Sequence, residues 1–509
     1  MIEIKRSSIV IHGYSREKSK KLENFLSIFK TMPNGYKIVD YTVYNYDEEK
    51  DIMIIPRGYN INRLKSILDD FSVIENKEHD ISRNIFLDCH VQPRDDLQRD
   101  AIDFLIDEGK YSNNLYQSQR FLCLKTGKGK TYCMINAISK LKRRSIIIVD
   151  SLSTAEQWKN KFLEYTNIKE KSICMISGYD SIKKIMIDKS EPEYSIYIAM
   201  NQTLTSLIKK NPKLLTNFFT KIKVGIKVYD EAHVCWRAIF NIDAYTNTEK
   251  TYYLTATPGR SDIAENRLYC YCFETVPMYG RTLDFSYKYQ SEMVSLKEAY
   301  HVAYYVKYNS KPNYNQQIEI KNKRSQQFDL NAYSDYIKNS SYDLFLFVIL
   351  KLIDVCLSVK NDDRKIVIIL IKNDLIQKLF EDLSQCYPEY QIGRFCGLID
   401  KKEKDKELDK RIILSTEKSL GKAIDIKNLG FLINTVPFAS SVISEQLLGR
   451  LRNNKKYSFL LDVADTGFEP CKRNQAIRAS SYNKIVSKIR EVEFNPTNDE
   501  IEKFISSKN

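Results

Sequence analysis

A short apolar run at residues 121–124 leads into Lys125-Thr126-Gly127-Lys128-Gly129-Lys130-Thr131, and a stretch with helical character, 132–141, follows at once. A strand, a glycine-bearing turn and a helix in that order form the first half of a βαβ unit. Such a unit commits the chain to a parallel sheet covered by helices. The pattern continues. Apolar runs at 145–149, 195–199, 224–229 and 251–254, each the length of a buried strand, alternate with helical stretches. The spacing predicts a doubly wound α/β lobe over 89–275. The alternation returns with a helix at 342–359 and strands at 365–370, 412–415, 431–434 and 458–462, which predict a second α/β lobe over 341–465.

The flanks read differently. Residues 1–88 predict a small α+β accessory domain. It has a helix over 15–30, with Leu22, Phe25, Leu26 and Phe29 on one face, and strands at 38–46 and 51–55, the latter stopped by Pro56-Arg57-Gly58. Residues 276–340 read as a connector with one strand near 303–307, and 466–509 as a helical tail.

Composition narrows the class. Hydrophobic residues at 43% and charged residues at 28% exclude a disordered chain. The net charge of +14 favours a polyanionic partner. Residues 1–88 hold 14 Lys/Arg against 14 Asp/Glu, so the excess lies downstream. The 11 cysteines include no C-x-x-C pair, which argues against a zinc ribbon and predicts buried free thiols. The most apolar stretch, 344–357, carries Lys351 and Asp354 and reads as a core helix rather than a membrane span. The first residues lack the apolar core of a signal peptide. A soluble, cytoplasmic protein is the expectation, in host cytoplasm if phage-encoded.

Two segments carry chemistry. In the first, Gly127 and Gly129 let backbone N–H groups wrap a phosphate at a helix N-terminus. Lys130 then reaches the β- and γ-phosphates, and the Thr131 hydroxyl ligates Mg²⁺. In the second, the apolar strand at 224–229 ends in Asp230-Glu231-Ala232-His233. Carboxylates at a strand's C-terminal end lie beside the phosphate loop in such sheets. Asp230 suits Mg²⁺, and Glu231 suits the attacking water. The 100 residues between Lys130 and Asp230 fit one lobe.

With these motifs in hand, the chain resembles a superfamily 2 helicase of the DEAH-box kind, similar to phage UvsW-type and XPB-like DNA helicases. The resemblance spans about 89–465 and implies two RecA-like lobes. Around Gln98, Leu97-Gln98-Arg99-Asp100-Ala101 resembles the glutamine motif that contacts adenine. Residues 147–152 with Gln157-Trp158 resemble the segment that contacts nucleic acid. Leu254-Thr255-Ala256-Thr257-Pro258 resembles the coupling motif, in which His233, Thr255 and Thr257 link nucleotide state to strand binding. Ser415-Thr416 through Gly421 and Asp425 resemble the fifth motif. Gln446-Leu447-Leu448-Gly449-Arg450-Leu451-Arg452 resembles the sixth, which supplies an arginine finger. The usual place of that finger is Asn453 here, so Arg450 and Arg452 are both candidates.

The implied nucleotide-binding set is Gln98, Thr126, Gly127, Lys128, Gly129, Lys130, Thr131, Gln446 and Gly449, with ATP and Mg²⁺ as cofactors. The implied activity is a nucleic-acid-dependent ATPase that unwinds or translocates on DNA, whether single-stranded, duplex or branched, in replication, recombination or repair. An RNA helicase or transcript-release motor is the alternative. Within 1–88, Pro56-Arg57-Gly58-Tyr59 reads as a plain turn or a nucleic-acid contact loop. The connector tyrosines Tyr287, Tyr289, Tyr304, Tyr305 and Tyr308 read as strand packing, or as base-stacking groups.

Overall fold

The computed structural model describes all residues except 14–15, 32–35, 48–50, 69–70, 107–117, 189, 191–192, 235, 257–270, 281–297, 323–326, 360–361, 421–425, 452–455, 484 and 509. The chain forms two compact units, Met1–Met293 and Val294–Asn509.

The first unit opens with a five-stranded mixed sheet. Its strands are β1 (Ile2–Ile4), β2 (Ser8–His12), β5 (Asn45–Asp47), β6 (Ile52–Pro56) and β7 (Val73–Glu75), in the order β5-β6-β2-β1-β7. A separate hairpin pairs β3 (Ser27–Thr31) with β4 (Lys37–Thr42). The predicted helix is shorter than its apolar spacing, spanning Arg16–Phe25. Ser27 turns back to donate to the Glu23 carbonyl at 2.5 Å, and the strand begins there. Leu22 and Leu26 are buried, but Phe25 and Phe29 are exposed, so the four do not share a core face. Ile28, Phe29 and Thr31 favour an extended chain, and that preference overrides the helical period.

The same unit holds a seven-stranded, fully parallel sheet. Its strands are β8 (Gln119–Cys123), β9 (Ser145–Val149), β10 (Ile173–Ile176), β11 (Ile196–Met200), β12 (Ile226–Tyr229), β13 (Lys250–Thr255) and β14 (Met278–Gly280), in the order β10-β11-β9-β12-β13-β8-β14. The lobe thus runs past residue 275 to include β14. Alternate residues face opposite layers. Leu122, Ile147, Val149, Val228 and Leu254 pack under helices Asp96–Ile106, Lys130–Leu141 and Leu152–Tyr165. Phe121, Ile148, Tyr229 and Tyr253 join the core that also holds Ile2, Ile9, Met53 and Ile55 of the small sheet. The small sheet and this face of the lobe therefore share one hydrophobic core.

The second unit carries β15 (Glu298–Tyr308), β16 (Lys365–Leu370), β17 (Ile392–Phe395), β18 (Ile412–Thr416), β19 (Leu429–Asn434), β20 (Ser458–Asp465) and β21 (Val486–Phe494). All are parallel, in the order β17-β18-β16-β19-β20-β15-β21. Each number is the first sheet's number plus seven, so the two sheets have identical topology. Both expectations for the flanks of this lobe change. The strand expected in a connector is an eleven-residue sheet member, β15, hydrogen-bonded on both sides, to β20 and β21. The tail is not helical throughout. It contributes the edge strand β21 between helices Glu469–Tyr482 and Asn498–Ser506. The charged alternation in Ser487-Lys488-Ile489-Arg490-Glu491-Val492-Glu493 belongs to a strand with one side in water. Helix Tyr342–Leu357 is a core helix, as its composition predicts. No helix among the described residues is long and apolar enough to cross a membrane.

Candidate active site

The C-terminal ends of β8, β13, β12 and β9 lie side by side, because those strands are neighbours in that order. The chemistry-bearing loops leave from these four ends. After β8 the chain turns through Gly127 (φ +79°) and Gly129 (φ +90°), which caps helix Lys130–Leu141 from the left-handed region. Side chains other than glycine are strained there. The turn is closed by Lys128 N–H donating to the Lys125 carbonyl at 3.1 Å.

Gln98 braces the loop from helix Asp96–Ile106. Its side-chain amide donates to the Lys128 carbonyl at 3.2 Å and accepts from Arg94 N–H at 3.0 Å. The Arg94 guanidinium donates to the Gly127 carbonyl at 3.2 Å. Gln98 is buried, and a Cβ at Gly129 would overlap its amide nitrogen. Gln98 thus holds the phosphate loop itself. Neither it nor Arg94 was legible as a loop brace, because the partners lie about 30 residues downstream.

After β12 come the acidic residues. Asp230 accepts from the Trp158 indole N–H through Oδ2 at 2.7 Å and from Glu231 N–H through Oδ1 at 3.0 Å. Burial pushes the Asp230 carboxyl up to about 6, with the neighbouring Glu231 charge acting in the same direction. Glu231 sits at φ +48°, a backbone conformation uncommon for a side chain of this kind. It places Oε1 4.0 Å from Lys130 Nζ and Oε2 3.3 Å from His233 Nδ1. Lys130 Nζ also donates to the Leu124 carbonyl at 3.4 Å. His233 is buried, and its Nδ1 lies 2.7 Å from Thr255 Oγ1 at the end of β13. Backbone bonds fasten these loops to β13, with Leu124 N–H donating to the Thr255 carbonyl at 3.1 Å and Ala232 N–H to the Leu254 carbonyl at 2.9 Å.

Lys130, Glu231, His233 and Thr255 therefore form one chain of close contacts from the phosphate loop to the coupling strand. Among the described residues, no group of three or more His, Cys, Asp or Glu could hold a metal ion alone. The local donors are oxygens, from Thr131, Asp230 and Glu231, and Glu231 Oε2 is buried without a hydrogen bond. Few hard oxygen donors beside a phosphate loop fit Mg²⁺, which takes one or two carboxylates and fills its shell with water and phosphate.

The remaining expected residues fall elsewhere. Gln446, Gly449 and Arg450 belong to the second unit, at the end of helix Ser441–Leu448 and the turn after it. His301 of β15 fixes that turn, its Nε2 lying 2.6 Å from the Leu451 carbonyl oxygen. Thr257, Gly421, Asp425 and Arg452 lie outside the described residues, as do Tyr287 and Tyr289. Trp158, expected beside nucleic acid, is buried against Asp230 instead. Tyr305 and Tyr308 are buried in the second sheet, and Tyr304 is partly buried against its core, so all three serve strand packing. The Pro56–Tyr59 turn is buried too. Gly58 lies against the Cys272 and Phe273 backbone, and its carbonyl accepts from Thr275 N–H at 2.9 Å. It docks the small sheet onto the lobe and is not a nucleic-acid contact loop.

Comparison with known proteins agrees with this geometry. Residues 90–260 match the family described as type III restriction enzyme, res subunit. That stretch includes the phosphate loop, the acidic turn and the end of β13. Those residues carry a helicase domain of superfamily 2 type. The helicase is 21% identical over 455 residues to the "Putative ATP-dependent RNA helicase L396" of Acanthamoeba polyphaga mimivirus, a match covering 86% of this chain and 76% of that one. It is 27% identical over 146 residues to the DNA 3'-5' helicase XPB of Mycobacterium tuberculosis, covering 29% of this chain and 25% of that one. Among solved structures, its fold is similar to the DEAD-box helicase Mss116 bound to ssRNA, with TM-score 0.53, 13% identity, and 81% and 77% of the two chains covered. The family match and the sequence relatives place the helicase among nucleic-acid-dependent ATPases.

Proposed function

We propose that the helicase hydrolyses ATP at the β8–β12 strand ends and uses the cycle to translocate on or unwind DNA in replication, recombination or repair. The observation that carries this reading is the contact chain Lys130–Glu231–His233–Thr255, which joins a phosphate site to the strand that precedes the coupling motif.

In this reading, backbone N–H groups of 126–131 bind the phosphates, and Lys130 supplies positive charge to them. Thr131 and Asp230 hold Mg²⁺, which when bound neutralises charge on the β- and γ-phosphates. Glu231 orients the attacking water and takes its proton. One ring nitrogen of His233, Nδ1, faces both Glu231 Oε2 at 3.3 Å and Thr255 Oγ1 at 2.7 Å. Its contacts suit a relay more than a base, since the ring is buried among hydrogen-bonding partners. Thr257, Gly421 and Asp425 complete the coupling set. Arg450 and Arg452 are the sources of transition-state positive charge, Gln446 and Gly449 flank the first of them, and Gln98 and Arg94 keep the loop in shape.

DNA is the favoured track because the family match names a restriction subunit and the XPB relative is a DNA helicase. RNA is the second reading, favoured by the mimivirus relative, whose match covers most of this chain. Steady-state ATPase with no nucleic acid, single-stranded, duplex and forked DNA, and RNA separates them. DNA should stimulate most, and stimulation should fall as salt rises. Stimulation by RNA alone would establish the second reading. Hydrolysis that survives Lys130→Ala would refute the site.

A further inference from the structure

Trp158 lies on helix Leu152–Tyr165, whose N-cap Ser151 accepts from Thr154 N–H at 3.2 Å. That helix leaves from the end of β9, beside β12 in the sheet. Its indole is almost fully buried, and its only polar atom points at Asp230 Oδ2 across 2.7 Å. The other carboxylate oxygen is held by Glu231 N–H. Each oxygen thus has one fixed donor and keeps its remaining lone pairs in a defined direction. A carboxylate with one donor rotates about its Cβ–Cγ bond, whereas one with two donors on opposite oxygens does not. Indole N–H is a donor only, so the bond persists whether or not a cation binds. A tryptophan has many ways to be buried, and aiming its N–H at an acidic group beside a phosphate loop is a specific use of it.

We propose that Trp158 is the positioning residue of Asp230: through its indole N–H, helix Leu152–Tyr165 sets the orientation in which Asp230 meets Mg²⁺. This rests on Asp230 holding the metal. Groups behind a metal ligand typically tune affinity by ten- to a hundredfold. Trp158→Phe keeps an aromatic ring and removes the donor.

The test is the Mg²⁺ concentration that half-saturates binding of a fluorescent ADP analogue, measured beside the Mg²⁺ dependence of the stimulated ATPase. For W158F both should rise about tenfold or more, with most of kcat recovered at saturating Mg²⁺. A W158F that matches the wild type in both, while D230N loses Mg²⁺-dependent binding, overturns the proposal. A D230N that keeps wild-type Mg²⁺ dependence overturns the metal reading itself, and the proposal with it. The chain has two tryptophans, so W236F leaves Trp158 as the sole emitter. That gives a second test independent of W158F folding. Its emission should change when Mg²⁺ is added with the analogue, and D230N should abolish the change. An emission indifferent to Mg²⁺ would overturn the proposal.

Discussion

Gly129→Ala tests how the phosphate loop is held. At φ +90° an alanine is strained by about 1–2 kcal/mol. The new methyl also overlaps the Gln98 amide nitrogen and must expel it. Expulsion costs the bonds to Arg94 N–H and the Lys128 carbonyl, each worth about 1 kcal/mol net. The single variant should therefore lose about 3 kcal/mol. Gln98→Ala, which loses the two bonds without the strain, should lose about 2 kcal/mol. In the double variant the bonds are already gone and only the strain is added, so the sum should be about 3 rather than 5 kcal/mol, a coupling near 2 kcal/mol. Urea unfolding followed by tryptophan emission is the assay. Trp158 and Trp236 are the chain's two tryptophans and both lie in the first unit, so the signal reports that unit. Additive losses, within about 0.5 kcal/mol, would show that Gln98 does not brace Gly129 and would refute the reasoning.

Other perturbations follow from the same structure. Lys227 is fully buried and pairs with Asp243 at 2.6 Å, while Tyr229 and Tyr253 each donate a hydroxyl to that carboxylate at 2.6 Å. Lys227→Met leaves Asp243 buried without its cation and should cost about 3–5 kcal/mol in the same unfolding assay. Asp230 has its carboxyl raised to about 6 by burial, so the folded metal-free protein binds that proton more tightly than the unfolded chain. Its stabilising contribution is full below about 4 and is lost as pH rises through 6. Asp230→Asn should accordingly stabilise the metal-free protein at pH 8 by roughly 1–3 kcal/mol and leave it little changed at pH 4; equal gains at both pH values would contradict the assignment. Gly58→Val puts a side chain into the Cys272 carbonyl and should loosen the small sheet from the lobe, read as faster proteolytic cleavage within residues 1–80. Unchanged digestion would mean the turn does not carry the docking.

What could be read from the residues was local. The phosphate loop and the acidic turn are strand–loop–helix and strand–turn segments, and their strand runs and glycines mark them directly. The membership of β15 and β21 in the second sheet was hidden. Their partners lie far along the chain, as His301 opposite Ser458 and Val302 opposite Lys488. A strand with many tyrosines and lysines also looks like loop composition until its neighbours are known. Trp158 was legible as part of a motif but not as a partner of Asp230, 72 residues away. Helical spacing predicted one face for Phe25 and Phe29, and only tertiary packing decided that the chain leaves the helix at Phe25.

The shared topology has a stoichiometric consequence. In the second sheet β15 occupies the position of β8, so the segment after Tyr308 stands where the first sheet has its phosphate loop. There the carboxyl of Asp465 gathers donors from two loops. Its carboxylate accepts from Ser310 N–H and Gly467 N–H, both at 3.0 Å, and from the Ser310 hydroxyl at 2.5 Å. A backbone donor of that segment, Ser310 N–H, is already taken by a carboxyl of the same sheet, as is Gly467 N–H in the loop after β20. The segment after Tyr308 thus spends on a side chain a donor that the phosphate loop keeps for its ligand, and calorimetric titration should find one nucleotide bound per chain.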